Sequence, residues 1–331
     1  MKSVGFFNNK GGVGKTTLIC NLAAFLSIKR DKRVLVIDCD PQCNASAYLL
    51  PDDQLEEELL RDGRRSIDSI FEPVRRGQGY SRKLPRITRS ERFSVDLIVG
   101  DPKLSLREDL LATDWADTRN GEPRGFQTTF TIKDLVGRFE GEYDYVLVDM
   151  GPSLGALNRS ILLGVDCFVM PLSVDIFSLM AIKNVIGSFE RWKSDLEQAI
   201  GKYYEEEGEG FEVGDEEVSW SLTFSGYVMQ QYTAKRKQGE RQPVKAFERI
   251  RDKQQEEMVS LCEFFDVDPS SASLGEIPIL HSIIPLSQQV KAPVFELGAK
   301  DGIVGSHYTK VNDSFYIYEK IADNFVRQVG A

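Results

Sequence analysis

"SVGFFNNKGGVGKTTLICNLAAFLSIKR", residues 3–30, sets a short β-rich run, a glycine-rich turn and a helical pattern in direct succession. The run from Ser3 stops at Asn8-Asn9-Lys10, and from Lys15 to Arg30 the apolar residues Leu18, Ile19, Leu22, Ala23, Phe25 and Leu26 recur at helical spacing. Strand, glycines and helix in that order make a phosphate-binding turn. With no Cβ in the way, backbone N–H groups converge on closely spaced oxygens, and the helix points its positive dipole end at the anion. Gly11, Gly12 and Gly14 fit that role, with Val13 between them and Thr17 closing the loop. Lys15 would reach the β- and γ-phosphates of a triphosphate, and Thr16 would coordinate magnesium through its hydroxyl. One feature departs from the usual pattern: Asn9 stands where the first glycine is expected, and a second lysine, Lys10, follows it.

Outward from the loop, Arg33 to Asp38 (RVLVID) is a continuous aliphatic run ended by acids, and Tyr145 to Asp149 (YVLVD) repeats the design. Such runs alternating with helices predict a doubly wound, mostly parallel α/β sheet with helices on both faces. Further buried strands are predicted at Val95 to Val99, Cys167 to Pro171, Ser225 to Met229 and Ile277 to Leu280. From Asp313 to Val329, Tyr318, Ile321, Ala322, Phe325, Val326 and Val329 share one face, as on a helix packed against the core. We read residues 1–331 as a single domain with charged insertions near 51–130 and 200–275. Within them, Arg61 to Arg92 carries ten Arg or Lys against four Asp or Glu and reads as a basic, partly loop-like tract. Its opposite, Glu205 to Glu217 (EEEGEGFEVGDEE), reads as a solvated acidic loop.

Composition narrows the function classes. At 28% charged and 41% hydrophobic residues the chain is of the globular type. Its formal net charge of -10 requires any nucleic-acid binding to come from a local basic patch. The five cysteines (Cys20, Cys39, Cys43, Cys167, Cys262) form no CxxC and lie mostly in apolar runs, which predicts a reduced, cytoplasmic protein. No signal peptide and no membrane-spanning run is read from the sequence.

The loop K-G-G-x-G-K-T, Lys10 to Thr16, resembles the deviant phosphate loop of the ParA/MinD ATPases. The resemblance implies ATP and Mg2+ as cofactors, and a nucleotide-sandwiched homodimer in which Lys10 contacts the phosphates of the partner subunit. Lys10 would then act as an arginine finger does, alongside Lys15. "VLVIDCDPQCN", Val34 to Asn44, resembles the family's first switch, with Cys43 where many members have glycine. By that resemblance Asp38 joins the magnesium shell and Asp40 orients the attacking water. In "YDYVLVDMGPSLGALN", Tyr143 to Asn158, Asp149 would bind magnesium through water, and Gly151-Pro152-Ser153 resembles the second switch. "SIIPLSQQVKAPV", Ser282 to Val294, looks like a shortened Ile-Pro-Arg segment that places Pro285 near the adenine. The resemblance covers roughly residues 1–50 and 143–190, and more loosely 222–235 and 277–329.

ParA-type ATPases bind DNA without sequence preference as ATP-bound dimers, released by a ParB-like activating adaptor. Here the basic run after the Ser225 strand offers Lys235, Arg236, Lys237 and Arg241, followed by Lys245, Arg249 and Arg251. The Arg61 to Arg92 tract is a second candidate, for DNA or for a cargo adaptor. Because the chain opens on its first strand, no operator-reading domain is expected. A chain stopping at Gly330-Ala331 after a core-type helix predicts no amphipathic membrane anchor. An iron–sulfur carrier is disfavoured by the cysteine spacing. The remaining alternatives are a ligase or synthetase that activates a metabolite with ATP, and a ParA-like switch serving another role such as defence.

Overall fold

Aliphatic runs with no polar face need helices on both sides of the sheet they form. The computed structural model describes residues 1–330 apart from 233, 238, 239, 244, 281 and 282, and side chains of residues 231–248 also lie outside the described set. Its main sheet holds β1 (Lys2–Phe6), β2 (Val34–Asp38), β3 (Ile87–Ser90), β4 (Val95–Ile98), β5 (Tyr145–Asp149), β6 (Cys167–Ser173), β7 (Thr223–Tyr232) and β8 (Ser273–Pro278). Their order is β8-β7-β6-β1-β5-β2-β4-β3. Neighbours are parallel except β3 and β4, which pair antiparallel at one edge. The helices that bear on the site are α1 (Lys15–Arg30), α2 (Glu108–Arg119), α3 (Ala156–Gly164), α4 (Ile176–Glu207), α5 (Lys245–Phe264) and α6 (His307–Val329).

Alternation along the strands divides the interior in two. Val34, Val36, Tyr145 and Leu147 join a core with Leu18, Leu22 and Phe25 of α1 and Ile321 and Phe325 of α6. Leu35, Ile37, Val146 and Val148 join the other, with Ile161 of α3, Phe189 of α4 and Leu261 of α5. The face predicted for the C-terminal helix is the buried one at Tyr318, Ile321, Ala322, Phe325 and Val329. β8 starts and stops earlier than the apolar run Ile277 to Leu280 predicts. It ends at Pro278, and Ser273, Gly275 and Glu276 hide its first residues from a hydrophobicity reading.

The basic tract is partly loop-like, as expected, with short helical pieces at Ile67–Ile70 and Phe71–Arg75 and the edge strand β3, and the acidic tract departs from expectation in part. The acidic one is solvated, exposed throughout 205–217 except at Gly210, Phe211 and Val213, but it is not all loop: α4 continues to Glu207, and Glu212–Val213 pairs with Glu216–Glu217. Two apolar anchors inside it, Phe211 and the buried Val213, belong to a third cluster with Trp115, Phe126, Phe130, Leu163, Leu196 and Ala199. The ring of Phe126 lies 5.2 Å from Phe211 and 5.3 Å from Tyr203. Lys133 ion-pairs with Glu216 at 2.8 Å, and Lys202 Nζ donates to the Arg119 carbonyl at 2.9 Å. Segments about eighty residues apart in sequence thus build one accessory lobe on the far side of α3 and α4. In the basic tract, Arg61, Arg64, Arg75, Arg86, Arg89 and Arg92 pair with Glu57, Asp101, Glu72, Glu58, Asp96 and Asp301 respectively. Much of its charge is compensated within the chain.

Candidate active site

The glycine turn follows β1 and meets two aspartates at the sheet's carboxyl end. In register, Phe6 is level with Asp149, and Asp149 with Asp38, so the three strands finish together. Gly12 (φ 73°) and Gly14 (φ 83°) occupy the left-handed region, where a side chain is strained. Gly14 is also the N-cap of α1, whose first turn carries Lys15 and Thr16. Asn8 fastens the start of the turn: its Nδ2 donates to the Pro171 carbonyl at 2.7 Å and its Oδ1 accepts from Lys10 N at 2.9 Å.

Thr16 Oγ1 donates to Asp149 Oδ2 at 2.8 Å, while Asp149 Oδ1 is buried with no hydrogen-bond partner. Burial, reinforced by the charge of Asp38, pushes the Asp149 carboxyl up to about 8. Burial likewise raises Asp38, to about 6, against the hydrogen bonds it receives. Those bonds brace the turn after β2: Asp38 Oδ2 accepts from Ser46 N (2.8 Å) and Ser46 Oγ (2.7 Å), and Oδ1 from Asp40 N (3.2 Å). Asp40 receives Gln42 N at 3.0 Å and stands beside Gly151. Burial lowers the Lys15 ammonium, opposed by the charges of Asp149 and Asp40. Cys43, the residue in the glycine position, has φ 53° and caps the helix Asn44–Leu49, so the backbone there takes a conformation in which glycine is strain-free.

Lys10 is held within its own chain. Its Nζ ion-pairs with Asp175 Oδ2 and donates to Ser173 Oγ at 2.9 Å. Asp175 simultaneously caps α4, its Oδ1 accepting from Phe177 N (2.9 Å) and Ser178 N (3.0 Å). Burial raises its carboxyl, but the bonds from Lys10, Ser173 and Ser178 outweigh this and hold it below the ordinary range. Gln254 of α5 ties the same corner down, donating to the Ser173 carbonyl at 2.9 Å.

A cavity of about 510 Å³ is lined by Gly11, Gly12, Gly14, Lys15, Thr16 and Thr17 on one side, whereas Lys10, Asp38 and Asp149 are not among its lining residues. Its other walls are Asp40, Gln42, Asn44, Ala47, Tyr48, Pro152, Gln288 and Lys291. The size suits a nucleotide. The residues also fit magnesium: an unpartnered carboxylate oxygen next to a Thr hydroxyl matches an ion that keeps several waters and takes few protein ligands. No cluster of three or more His, Cys, Asp or Glu able to hold a metal occurs among the described residues. Pro285 opens the short helix Ile284–Val290 and does not line the cavity, whereas Gln288 and Lys291 of the same segment do.

Sequence reading missed Gln230, at the end of β7. It is buried and donates from Nε2 to the Gly14 carbonyl at 3.2 Å. It also missed Asp175, Ser46 and Lys291, because nothing local marks a residue whose partner lies elsewhere in the chain. The backbone of Ala234–Lys237 pairs antiparallel with Glu240–Pro243. The side chains of Lys235, Arg236, Lys237 and Arg241 lie outside the described residues. Arg251, from the same basic run, pairs with Glu276 at 3.0 Å. All five cysteines are free and buried. Among the described residues no helix is long and apolar enough to cross a membrane.

A glycine turn that delivers a lysine and a threonine to the carboxyl ends of a parallel sheet defines a phosphate-loop nucleotide-binding protein. A family profile described as "AAA domain" (AAA_31) matches residues 1–201. The chain belongs to this family and, with its relatives, to the ParA/MinD ATPases. It is 29% identical over 194 residues to the chromosome partitioning protein ParA of Myxococcus xanthus, covering 57% of this chain and 58% of that one. To ParA of Caulobacter vibrioides it is 28% identical over 198 residues, covering 59% and 65%. Both matches span less than two thirds of the relative's length. The crystal structure of protein DIP2308 from Corynebacterium diphtheriae superposes with a TM-score of 0.75 at 28% identity, covering 100% of this chain and 99% of that one.

Proposed function

We propose that this chain is a ParA-like, Mg-dependent ATPase that acts as a dimeric switch: bound to ATP it pairs with a second copy and holds nonspecific DNA, and hydrolysis stimulated by a ParB-like adaptor releases it. The observation that carries the reading is the unpartnered Oδ1 of buried Asp149, whose Oδ2 accepts from Thr16, a residue that lines the cavity together with the left-handed Gly12 and Gly14. Magnesium held at Thr16 and Asp149, with Asp38 in its outer shell, would neutralise charge on the transferring phosphoryl group. Lys15 and the loop N–H groups orient the β- and γ-phosphates. Asp40 holds the attacking water in line, a positioning role suited to a carboxylate at neutral pH. Lys10 adds its charge across the dimer once Asp175 releases it. DNA binding falls to Lys235, Arg236, Lys237 and Arg241 through clustered charge. In this reading residues 1–331 act as one ATPase domain with insertions near 51–130 and 200–275. The protein is cytoplasmic, nucleoid-associated when ATP-bound, and serves partition of DNA or positioning of another cargo.

Light scattering and DNA co-sedimentation of wild type and Lys10→Ala, each with ATP and with ADP, test the reading. Wild type dimerises and pellets DNA only with ATP, and Lys10→Ala loses turnover. ATP turnover with no change of assembly state or DNA binding would instead identify a metabolite-activating ligase or synthetase.

A further inference from the structure

Helix α3 follows the loop Gly151–Gly155 and has no capping side chain of its own, since Gly155 is its N-cap. Its first N–H groups are taken by a residue of the accessory lobe. Glu108, at the start of α2, accepts from Ala156 N with Oε1 and from Leu157 N with Oε2, the latter at 3.1 Å. The two residues are fitted to each other: a Cβ on Gly155 would lie 2.0 Å from Glu108 Oε1. A few residues on, the Arg159 guanidinium of α3 stacks 4.2 Å over the ring of Trp115 in α2. Thus α2 grips α3 at two points along their contact.

The position of α3 is passed on to the nucleotide side. Asn158 Nδ2 donates to the Gly151 carbonyl at 2.8 Å and to the Ser153 carbonyl at 2.7 Å, so the loop moves with the helix. Gly151 stands against Asp40, and Pro152 lines the cavity. We propose that Glu108 is a positioning residue for ATP hydrolysis: by holding the amino end of α3 it sets the loop Gly151–Gly155 against Asp40, so the accessory lobe governs how often the second switch is correctly placed. This rests on the ATPase reading above. Glu108 touches no phosphate; it acts through α3 and Asn158.

The test compares wild type with Glu108→Ala, Glu108→Gln, Gly155→Ala and the exposed neighbour control Asp109→Ala. Steady-state ATP turnover and hydrogen exchange over residues 151–164 are measured well below each variant's melting temperature. Glu108→Ala lowers kcat about fivefold, the weight of one lost helix cap, while KM for ATP stays within about twofold. Glu108→Gln is intermediate, because its amide offers one accepting oxygen instead of two. Gly155→Ala, which displaces the carboxylate without removing it, behaves like Glu108→Ala. Exchange rises at 151–157 in the affected variants, and Asp109→Ala matches wild type. Unchanged kcat in Glu108→Ala, or parallel losses of kcat and affinity that Glu108→Gln does not relieve, would overturn the proposal. If wild type itself fails to turn over ATP, the ATPase reading fails and the role in hydrolysis with it, and exchange separately decides whether Glu108 places the loop: unaltered protection at 151–155 in Glu108→Ala refutes that placement, and lost protection confines the role of Glu108 to holding the loop.

Discussion

Lys10 and Asp175 form an ion pair within one chain, and Asp175 belongs to the residues that start α4. In the dimer proposed above, Lys10 would have to leave this bond before it could reach the second subunit. Asp175→Asn separates the two duties of the residue, because asparagine caps a helix as well as aspartate but attracts the ammonium far less. With both side chains roughly a quarter to a third exposed, the pair is worth up to about 1 kcal/mol. Each proposed dimer would break two such pairs, so Asp175→Asn should lower the protein concentration needed for ATP-dependent dimerisation by up to about thirtyfold, read by light scattering across a dilution series. An unchanged midpoint would show that Lys10 release does not limit assembly.

The raised carboxyl of Asp149 makes the nucleotide-free chain sensitive to pH. Between the ordinary aspartate value and about 8, the folded chain keeps a proton on Asp149 that the unfolded chain gives up, so stability is greatest at low pH and falls as pH rises through that window. Asp38, raised to about 6, adds to the fall in the lower half. The melting temperature of the empty protein should drop from pH 5.5 to 8, and Asp149→Asn should flatten most of the slope. Saturating Mg-ATP, which favours the ionised carboxylate, should flatten it in wild type too. A slope unaffected by Asp149→Asn would assign the titration elsewhere.

Two glycines of the loop share a backbone conformation but not a neighbourhood. Around a Cβ at Gly12 nothing lies within 4 Å, whereas one at Gly14 would lie 2.3 Å from Gln230 Oε1. Gly12→Ala carries only the left-handed backbone penalty, about 1–2 kcal/mol. Gly14→Ala carries that and displaces Gln230, so it should lose more stability and more affinity for a fluorescent ATP analogue. Adding Gln230→Ala to Gly14→Ala should recover the difference. Equal effects of the two alanines would remove Gln230 from the loop's support.

The fold's centre was legible because its signals are local. Periodicity marked α1 and the apolar face of α6, aliphatic runs marked β2 and β5, and the glycines marked the turn. The departure at Cys43 was visible as an oddity, and its φ of 53° supplies the reason for the family's glycine. What sequence could not give were pairings across long separations: Lys10 with Asp175, Gln230 with Gly14, Glu108 with Ala156. The acidic tract misled most. Glutamates outnumber Phe211 and Val213 in the acidic tract, so its composition reads as loop although two apolar anchors decide its packing.

Phe126 is the residue on which the lobe converges, fully buried and in ring contact with Phe130, Tyr203 and Phe211. Phe126→Ala should cost about 3–5 kcal/mol of lobe stability. In urea unfolding its effect should couple with that of Phe211→Ala by about 1 kcal/mol, as for residues in direct contact. Strict additivity would mean that the segments around 108–137 and 196–220 do not support each other.

That mutual support has a genealogical corollary. Removing either of these two segments alone would leave the other's aromatic rings facing water, so neither can be trimmed, lengthened or exchanged independently. In descent as in engineering, the segments around 108–137 and 196–220 travel as one graft, and a relative lacking the first should lack the second.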